Sequence, residues 1–521
     1  MLPSQTAVAQ ARGDSPVSPS ALQVRSRITG LTFALLAAGA GLLRFLFIAR
    51  KPFWFDECFS VEVARLSWHD FLRLLWWREA NMSLYYVLLR GWLHWGFHPL
   101  FVRSFSVLCS LATLPAIYWL ARQLFDRRVG MIAVALMSCN AYSIRYAQEA
   151  RSYALFLLLA TLSSGFLVTW LREPSLRNRR RYVLANILAV YAHFYALLLI
   201  AVQWLAVRAL EGTPGAETGV MNRGGIRRAW LEIGVGVLPL LAFVAKTGAG
   251  PIRWIARPGF HDILDYWERL AGNGGWPLLV LYAAACFAAV MPLRGRLLHT
   301  RAEWETWRLQ FLLLWLILPV ALTVVLSLAR PVFLGRYFIF CLPPLIVLAA
   351  AGLANLRRAW MVAVCLAIML LFSLKGTVSY YNHDFDLERD GSEAAANYIY
   401  DHAQPGDAIL FHIAEARIPY EFFGSLRTGD LKSGVTAGPQ IVFPRHGDHL
   451  DYRDVTGKPS NELALTLSGQ HGRVWVVLMR NDVAGSADAT TQMLNQTFGQ
   501  SFPEMSQMQF PQVEVRLYSK P

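Results

Sequence analysis

Two adjacent carboxylates, Asp56 and Glu57, stand in the run Pro52 to Ser60 (PFWFDECFS), just past the first long apolar segment and among aromatic side chains. Acids partly buried at a bilayer edge are costly unless they hold a proton, a metal or a cation. A general base for a sugar hydroxyl needs a carboxylate of this kind. The plainer reading of the pair is a helix N-cap, or an interfacial acid beside an aromatic belt.

Further groups fall at the same end of the apolar segments. Glu79 to Trp95 (EANMSLYYVLLRGWLHW) sets Asn81, Tyr85 and Tyr86 at the start of a short apolar helix. Aromatic rings there can stack on sugar faces or line a lipid groove; the bland alternative is an interfacial belt. Ser143 to Leu155 (SIRYAQEARSYAL) carries Arg145, Glu149 and Arg151 between two apolar runs. Arginine matches phosphate geometry, whereas a salt bridge from Glu149 to either arginine would be structural. His193, Arg253, Arg257, Arg330, Arg336 and Tyr337 complete the set. Each alone can be an anchor. Several arginines on one side beside an acidic pair describe a site for an anionic lipid phosphate next to a base.

These residues need elements to position them, and composition says which. Of 521 residues, 55% are hydrophobic and only 16% charged, with a mean hydropathy of +0.35. Soluble proteins carry about 25% charged residues, so an ordinary soluble enzyme is excluded. Apolar segments recur at 28–48, 104–121, 129–143, 152–171, 182–192, 194–210, 231–247, 276–293, 309–328, 337–354 and 359–378. The run 84–97 is shorter than the ~20 residues needed to cross a bilayer. The expectation is an all-α polytopic membrane protein of about eleven transmembrane helices, followed by a small α/β soluble domain.

The net charge of +14 is unevenly spread: residues 379–521 hold 11 Lys and Arg against 18 Asp and Glu, and the rest carries +21. That excess reads as topology rather than nucleic-acid binding. Arg25 and Arg27 put the N-terminus in the cytoplasm. Clusters at Arg122/Arg127/Arg128, Arg172 with Arg177 to Arg181, Arg223/Arg227/Arg228, Arg294/Arg296/Arg301/Arg308 and Arg357/Arg358 then also face inward. The outer loop 49–103 and the C-terminal domain face outward. The domain plan is a disordered cytoplasmic extension at 1–24, a transmembrane catalytic domain at 25–378 and an outer α/β domain at 379–521. In the last, a helix is expected at 391–403 and strands at 408–411, 474–478 and 513–518. The six cysteines show no metal-ligand spacing or disulfide framework.

The ordered motifs resemble membrane glycosyltransferases of the GT-C fold that use polyprenyl-phosphate sugars, within them the family 39-like, mannosyltransferase-type proteins. The motifs are Asp56-Glu57, LYYVLLRGW (Leu84 to Trp92), RSFS (Arg103 to Ser106), LFDRRVG (Leu124 to Gly130), YAQEARSYAL (Tyr146 to Leu155) and GRYF (Gly335 to Phe338). They cover roughly 28–375. Many relatives have HPP where this chain has Asn81-Met82-Ser83.

The resemblance implies a bacterial inner-membrane enzyme that transfers a hexose or pentose, with inversion, on the outer face. Asp56 would deprotonate a glycan, lipid or protein acceptor. Glu57 would assist it or help hold a divalent cation, magnesium or manganese; some relatives use a metal and others do not. Arg145, Arg151, Arg253, Arg257, Arg336 and Tyr337 would bind the donor phosphate. Asn81, Tyr85, Tyr86, Glu149 and His193 would bind substrate. A lipid donor accounts for the lack of a nucleotide-binding motif. The competing reading is a transporter or flippase of envelope glycolipids, which the many spans suit but the outer acid and arginine set does not. A catalytically silent scaffold is the third.

Overall fold

In the computed structural model, residues 19–51, 53–211, 223–247, 255–293, 304–383, 391–431, 438–444, 455–479, 482–483 and 486–521 are described. The membrane part opens with α1 (Pro19–Phe45), so residues 19–24 of the expected disordered extension are helical. Three short helices follow in the first loop: α2 (Phe55–Arg65), α3 (Trp68–Trp77) and α4 (Ser83–Trp92). Next come α5 (Pro99–Leu124), α6 (Arg127–Cys139), α7 (Ala141–Ala147), α8 (Tyr153–Arg172), α9 (Leu176–Ala192), α10 (Ala196–Glu211) and α11 (Arg223–Thr247). Then α12 (Phe260–Ala271), α13 (Trp276–Val290), α14 (Trp304–Ala329), α15 (Leu342–Ala354) and α16 (Ala359–His383) end the apolar region, α16 running past the expected boundary at 378.

All eleven apolar segments are helical, but fewer qualify as spans. Among the described residues, six helices are long and apolar enough to cross a membrane, or seven if the pair α12 and α13, bent by 75°, is one span. The expected count of about eleven is therefore too high by this measure. Each residue advances a helix only about 1.5 Å, and α6 is 13 residues long, while α9 spends its first turns on Arg177, Arg179, Arg180 and Arg181.

Local chemistry explains the joints that matter. Asp126 caps α6 by accepting the Val129 N–H at 2.9 Å. A Cβ at Gly130 would fall 2.9 Å from the Tyr118 ring. The LFDRRVG motif is thus a close-packed helix hairpin. Asn140 caps α7, accepting the Ser143 N–H at 2.9 Å, and so ends α6 and re-aims the chain toward Tyr146–Tyr153. These caps satisfy donors that a helix start leaves open.

The C-terminal domain holds a five-stranded sheet of order β2-β1-β3-β7-β6. Its strands are β1 (Ala408–Phe411), β2 (Gln440–Phe443), β3 (Arg473–Met479), β6 (Glu504–Phe510) and β7 (Val513–Ser519), with a separate two-stranded ribbon of β4 (Asp482–Val483) and β5 (Ser486–Ala487). β1 pairs in parallel with β2 and β3, whereas β7 is antiparallel to β3 and β6. The helices are α17 (Ser392–His402), α18 (Arg417–Thr428), α19 (Asn461–Gln470) and α20 (Ala489–Ser501). Leu410, Val474 and Val476 pack on one face with Leu467 and Phe498. Ile409, Phe411, Trp475 and Val477 belong to the cluster that continues through Phe422 and Phe53 into the membrane helices. The two regions share one apolar core.

Candidate functional site

The two acids of the first loop go to different places. α2 begins after Trp54, whose backbone is extended, and Glu57 sits where its carboxylate can reach back to the Trp54 N–H, at 3.4 Å. The same carboxylate takes Arg103 in a two-point pair, Nε to Oε1 at 2.8 Å and Nη2 to Oε2 at 2.6 Å, and accepts the Ala150 N–H at 2.8 Å. Arg103 lies in the first turns of α5 and also donates to the Ile48 and Lys51 carbonyls, at 2.7 and 2.8 Å. Both side chains are 0% exposed. An ionised group in a membrane protein needs such a partner. Glu57 fits the helix-capping reading of the pair: it fastens α2 to α5 and to the turn before α8.

Asp56, one residue earlier, is turned by about 100° and is reached by solvent. Its Oδ2 lies 3.6 Å from Nη1 of Arg336, the two side chains being 20% and 22% exposed. Arg336 and Tyr337 come from a 3₁₀ turn, Gly335–Cys341, whose start is held by Tyr142 donating to the Gly335 carbonyl at 2.7 Å. Arg151 approaches from the turn before α8. Its Nη1 donates to the Asp56 carbonyl at 3.3 Å and to Ser60 Oγ at 3.4 Å. Two guanidiniums therefore flank the α2 start.

Around this pair lie polar atoms that the fold leaves unused. Tyr86 Oη, Tyr153 Oη, His193 Nε2, Trp54 Nε1 and Arg151 Nε are buried and make no hydrogen bond among the described residues. His193 stacks on Phe156 at 5.2 Å and meets the tilted Tyr337 ring at 4.7 Å, and its Nδ1 accepts the Tyr195 N–H at 3.2 Å. That places the ring proton on Nε2, an unpaired donor. Tyr86 and Tyr153 both lie within electrostatic reach of Asp56 and Arg151. Buried polar groups are normally paired, so a cluster of unpaired ones marks room for a polar ligand.

Glu79 carries no motif signal in the sequence. It precedes α4; its backbone N–H donates to the Leu74 carbonyl at 3.1 Å, and its side chain makes no hydrogen bond or ion pair among the described residues. Desolvation pushes its carboxyl up to about 7, with Arg151 opposing and the Asp56 charge adding to the rise. Arg103 opens the RSFS motif, and its residue type alone assigns it no role. The available signal was a charge inside an apolar span, which calls for a buried partner.

Of the other expected residues, several spend their polar atoms elsewhere. Asn81 Oδ1 accepts the Phe194 N–H at 3.0 Å, tying the first loop to the turn before α10. Tyr85 is buried, with its hydroxyl 3.3 Å from Ser106 Oγ. Glu149 pairs with Lys51 at 3.2 Å and more loosely with Arg145 at 3.7 Å. Arg257 is exposed and makes no hydrogen bond or ion pair among the described residues. Arg253 lies outside the described residues.

The fit to a divalent cation is poor at Asp56-Glu57. Glu57 is fully occupied by Arg103 and backbone donors, so the two carboxylates do not converge on one point. Among the described residues no three His, Cys, Asp or Glu side chains gather as a metal site.

No family model matches the chain, and no curated protein matches it. Solved structures do. ArnT from Cupriavidus metallidurans, in the apo state and bound to undecaprenyl phosphate, is 14% identical with a TM-score of 0.59, covering 93% of this chain and 97% of that one. The oligosaccharyltransferase AglB from Archaeoglobus fulgidus, in complex with an inhibitory peptide and a dolichol-phosphate, gives 0.45 at 10% identity over 87% of this chain and 69% of that one. The chain is a multi-pass membrane protein that shares its fold with ArnT along almost its whole length.

Proposed function

We propose that the protein is an outer-face membrane glycosyltransferase that takes its sugar from a polyprenyl-phosphate donor, with Asp56 as general base. The observation that carries this reading is the cluster around Asp56: a solvent-reached carboxylate flanked by Arg336 and Arg151, beside unpaired buried Tyr86, Tyr153 and His193. A related fold binding undecaprenyl phosphate supports the donor class.

In this mechanism the acceptor O–H gives its proton to Asp56 Oδ2 while its oxygen attacks the anomeric carbon. The bond from that carbon to the phosphate oxygen breaks, and its electron pair leaves with the polyprenyl phosphate. Attack opposite the leaving group inverts the configuration. Arg336 and Arg151 offset the charge gathering on the phosphate, with Tyr337 alongside. Tyr86, Tyr153 and His193 donate hydrogen bonds to the sugar or the phosphate. Glu57 takes no proton; it holds Asp56 in place. The outer orientation follows from the arginine asymmetry of the loops.

The test is transfer of radiolabel from polyprenyl-phosphate hexoses and pentoses to lipid, glycan or protein in proteoliposomes holding the purified protein. Label in an acceptor supports the reading. Movement of intact labelled lipid between leaflets without transfer would favour a flippase instead.

A further inference from the structure

The C-terminal domain does more than hang from the last membrane helix. Its α18 packs against α2, the helix that starts with Asp56. Phe422 of α18 stacks on Phe53, ring centres 4.7 Å apart and planes 19° from parallel. The Arg103 guanidinium lies 5.1 Å from the centre of that same Phe53 ring. A continuous column thus runs from the C-terminal domain through Phe53 and Arg103 to Glu57, the neighbour of Asp56.

The other end of α2 is gripped too. Arg65, in its last turn, donates to the Leu431 carbonyl at 2.7 Å and pairs with Glu421 at 3.2 Å. Glu421 is completed by Arg417 at 2.5 Å, and Arg65 by Glu62 at 2.5 Å. All four side chains are buried. An eleven-residue helix has little stability of its own, and its placement comes from tertiary contacts. Here two consecutive residues of α18, Glu421 and Phe422, supply contacts at both ends of α2.

We infer that Phe422 and Glu421 are positioning residues for the transfer reaction: the C-terminal domain sets the place of Asp56 through the Phe422–Phe53–Arg103 column and the Glu421–Arg65 pair. The inference rests on Asp56 being the base. A base displaced by about 1 Å loses on the order of a hundredfold in rate, so a partial loss of contact is readable in turnover.

The test uses the full chain in lipid, with Phe422→Ala, the milder Phe422→Leu and Glu421→Gln. Two readouts are compared with wild type. One is kcat and donor KM with whichever polyprenyl-phosphate sugar the wild type turns over. The other is amide hydrogen exchange over residues 55–65, with residues 83–92 and 153–172 as internal references. The expected result for Phe422→Ala is a fall in kcat of at least about tenfold at unchanged donor KM, with faster exchange confined to 55–65. Phe422→Leu, which keeps the apolar volume, should show the same pattern more weakly. Unchanged kcat, or unchanged exchange over 55–65, would overturn the inference. Equal acceleration over 55–65 and 83–92 would assign the effect to general loosening and overturn it as well. Exchange needs no turnover, so a wild type that transfers no sugar sinks the proposed function while the coupling between α18 and α2 is still decided.

Discussion

Glu57 and Arg103 close on each other through hydrogen bonds of 2.8 and 2.6 Å, with neither side chain reached by solvent. This pair separates the roles of two acids that are neighbours in sequence. Glu57 fixes the first turn of α2 against α5, and Asp56 is left to face Arg336 and solvent. Breaking a buried ion pair from one side leaves a charge without compensation, at about 3–5 kcal/mol. Glu57→Gln should therefore lower the melting temperature clearly. Asp56→Asn, at a part-exposed position, should leave it close to wild type. Thermal unfolding in matched detergent or lipid measures both, and equal melting of the two variants would contradict the division of roles.

Arg336 and Arg151 are expected to differ when removed. Arg336→Ala takes away a charge that lies 3.6 Å from Asp56; it should weaken undecaprenyl phosphate binding and slow turnover together, because a phosphate contact exists before and during the transition state. Arg151→Ala also removes the hydrogen bonds to the Asp56 carbonyl and Ser60, and should add a loss of stability. Binding of undecaprenyl phosphate, measured by calorimetry, checks the first effect, and thermal unfolding the second.

Glu79 predicts a pH dependence. Desolvation holds its carboxyl up to about 7, so it is mostly protonated below that pH and ionised above it. The ionised form places a second negative charge near Arg151 and opposes a phosphate. Donor KM should accordingly rise as pH increases through about 7. In Glu79→Gln that rise should vanish, with the wild-type low-pH value kept throughout. A KM profile unaltered by the substitution would remove Glu79 from the donor site.

His193 is a neutral donor wedged between the Phe156 and Tyr337 rings. His193→Phe keeps the aromatic stack and removes the Nε2 donor. The variant should fold normally and lose substrate affinity by about 10- to 150-fold, since a hydrogen bond to a charged group is worth about 1.5–3 kcal/mol. Unchanged affinity would place Nε2 away from the ligand.

The outward orientation has its own test. Asp401 on α17 is exposed, so Asp401→Cys should react with a membrane-impermeant maleimide in cells whose outer membrane alone is permeabilised. Reaction only after the inner membrane is lysed would reverse the topology.

The helices were legible because long apolar runs admit few other structures, and each expected segment is a helix. Their number as spans was overread because α6 and α9 are apolar in part but short or charged at one end. At the site, the sequence brought forward Asp56, Tyr86, Arg151, His193, Arg336 and Tyr337, which the fold gathers near one another. Asn81, Tyr85 and Glu149 carry the same residue types but spend their polar atoms on Phe194, Ser106 and Lys51. Residue type cannot report that, because each partner is distant in sequence or contributes only backbone. The Asp56–Glu57 division was illegible for a related reason. It depends on a rotation of about 100° between successive helix residues relative to Arg103. The grip of α18 on α2 joins residues more than three hundred positions apart and left no local pattern.

The most direct measurement is turnover of a radiolabelled polyprenyl-phosphate sugar by the wild type, Asp56→Asn and Glu57→Gln, each in lipid at matched folded concentration. Removing a positioned base typically costs about 10²–10⁴-fold. The predicted result is label transfer by the wild type, a loss in that range for Asp56→Asn with its folding intact, and a smaller loss for the folded fraction of Glu57→Gln. Wild-type turnover by folded Asp56→Asn would contradict the account, as Asp56 could not then be the base.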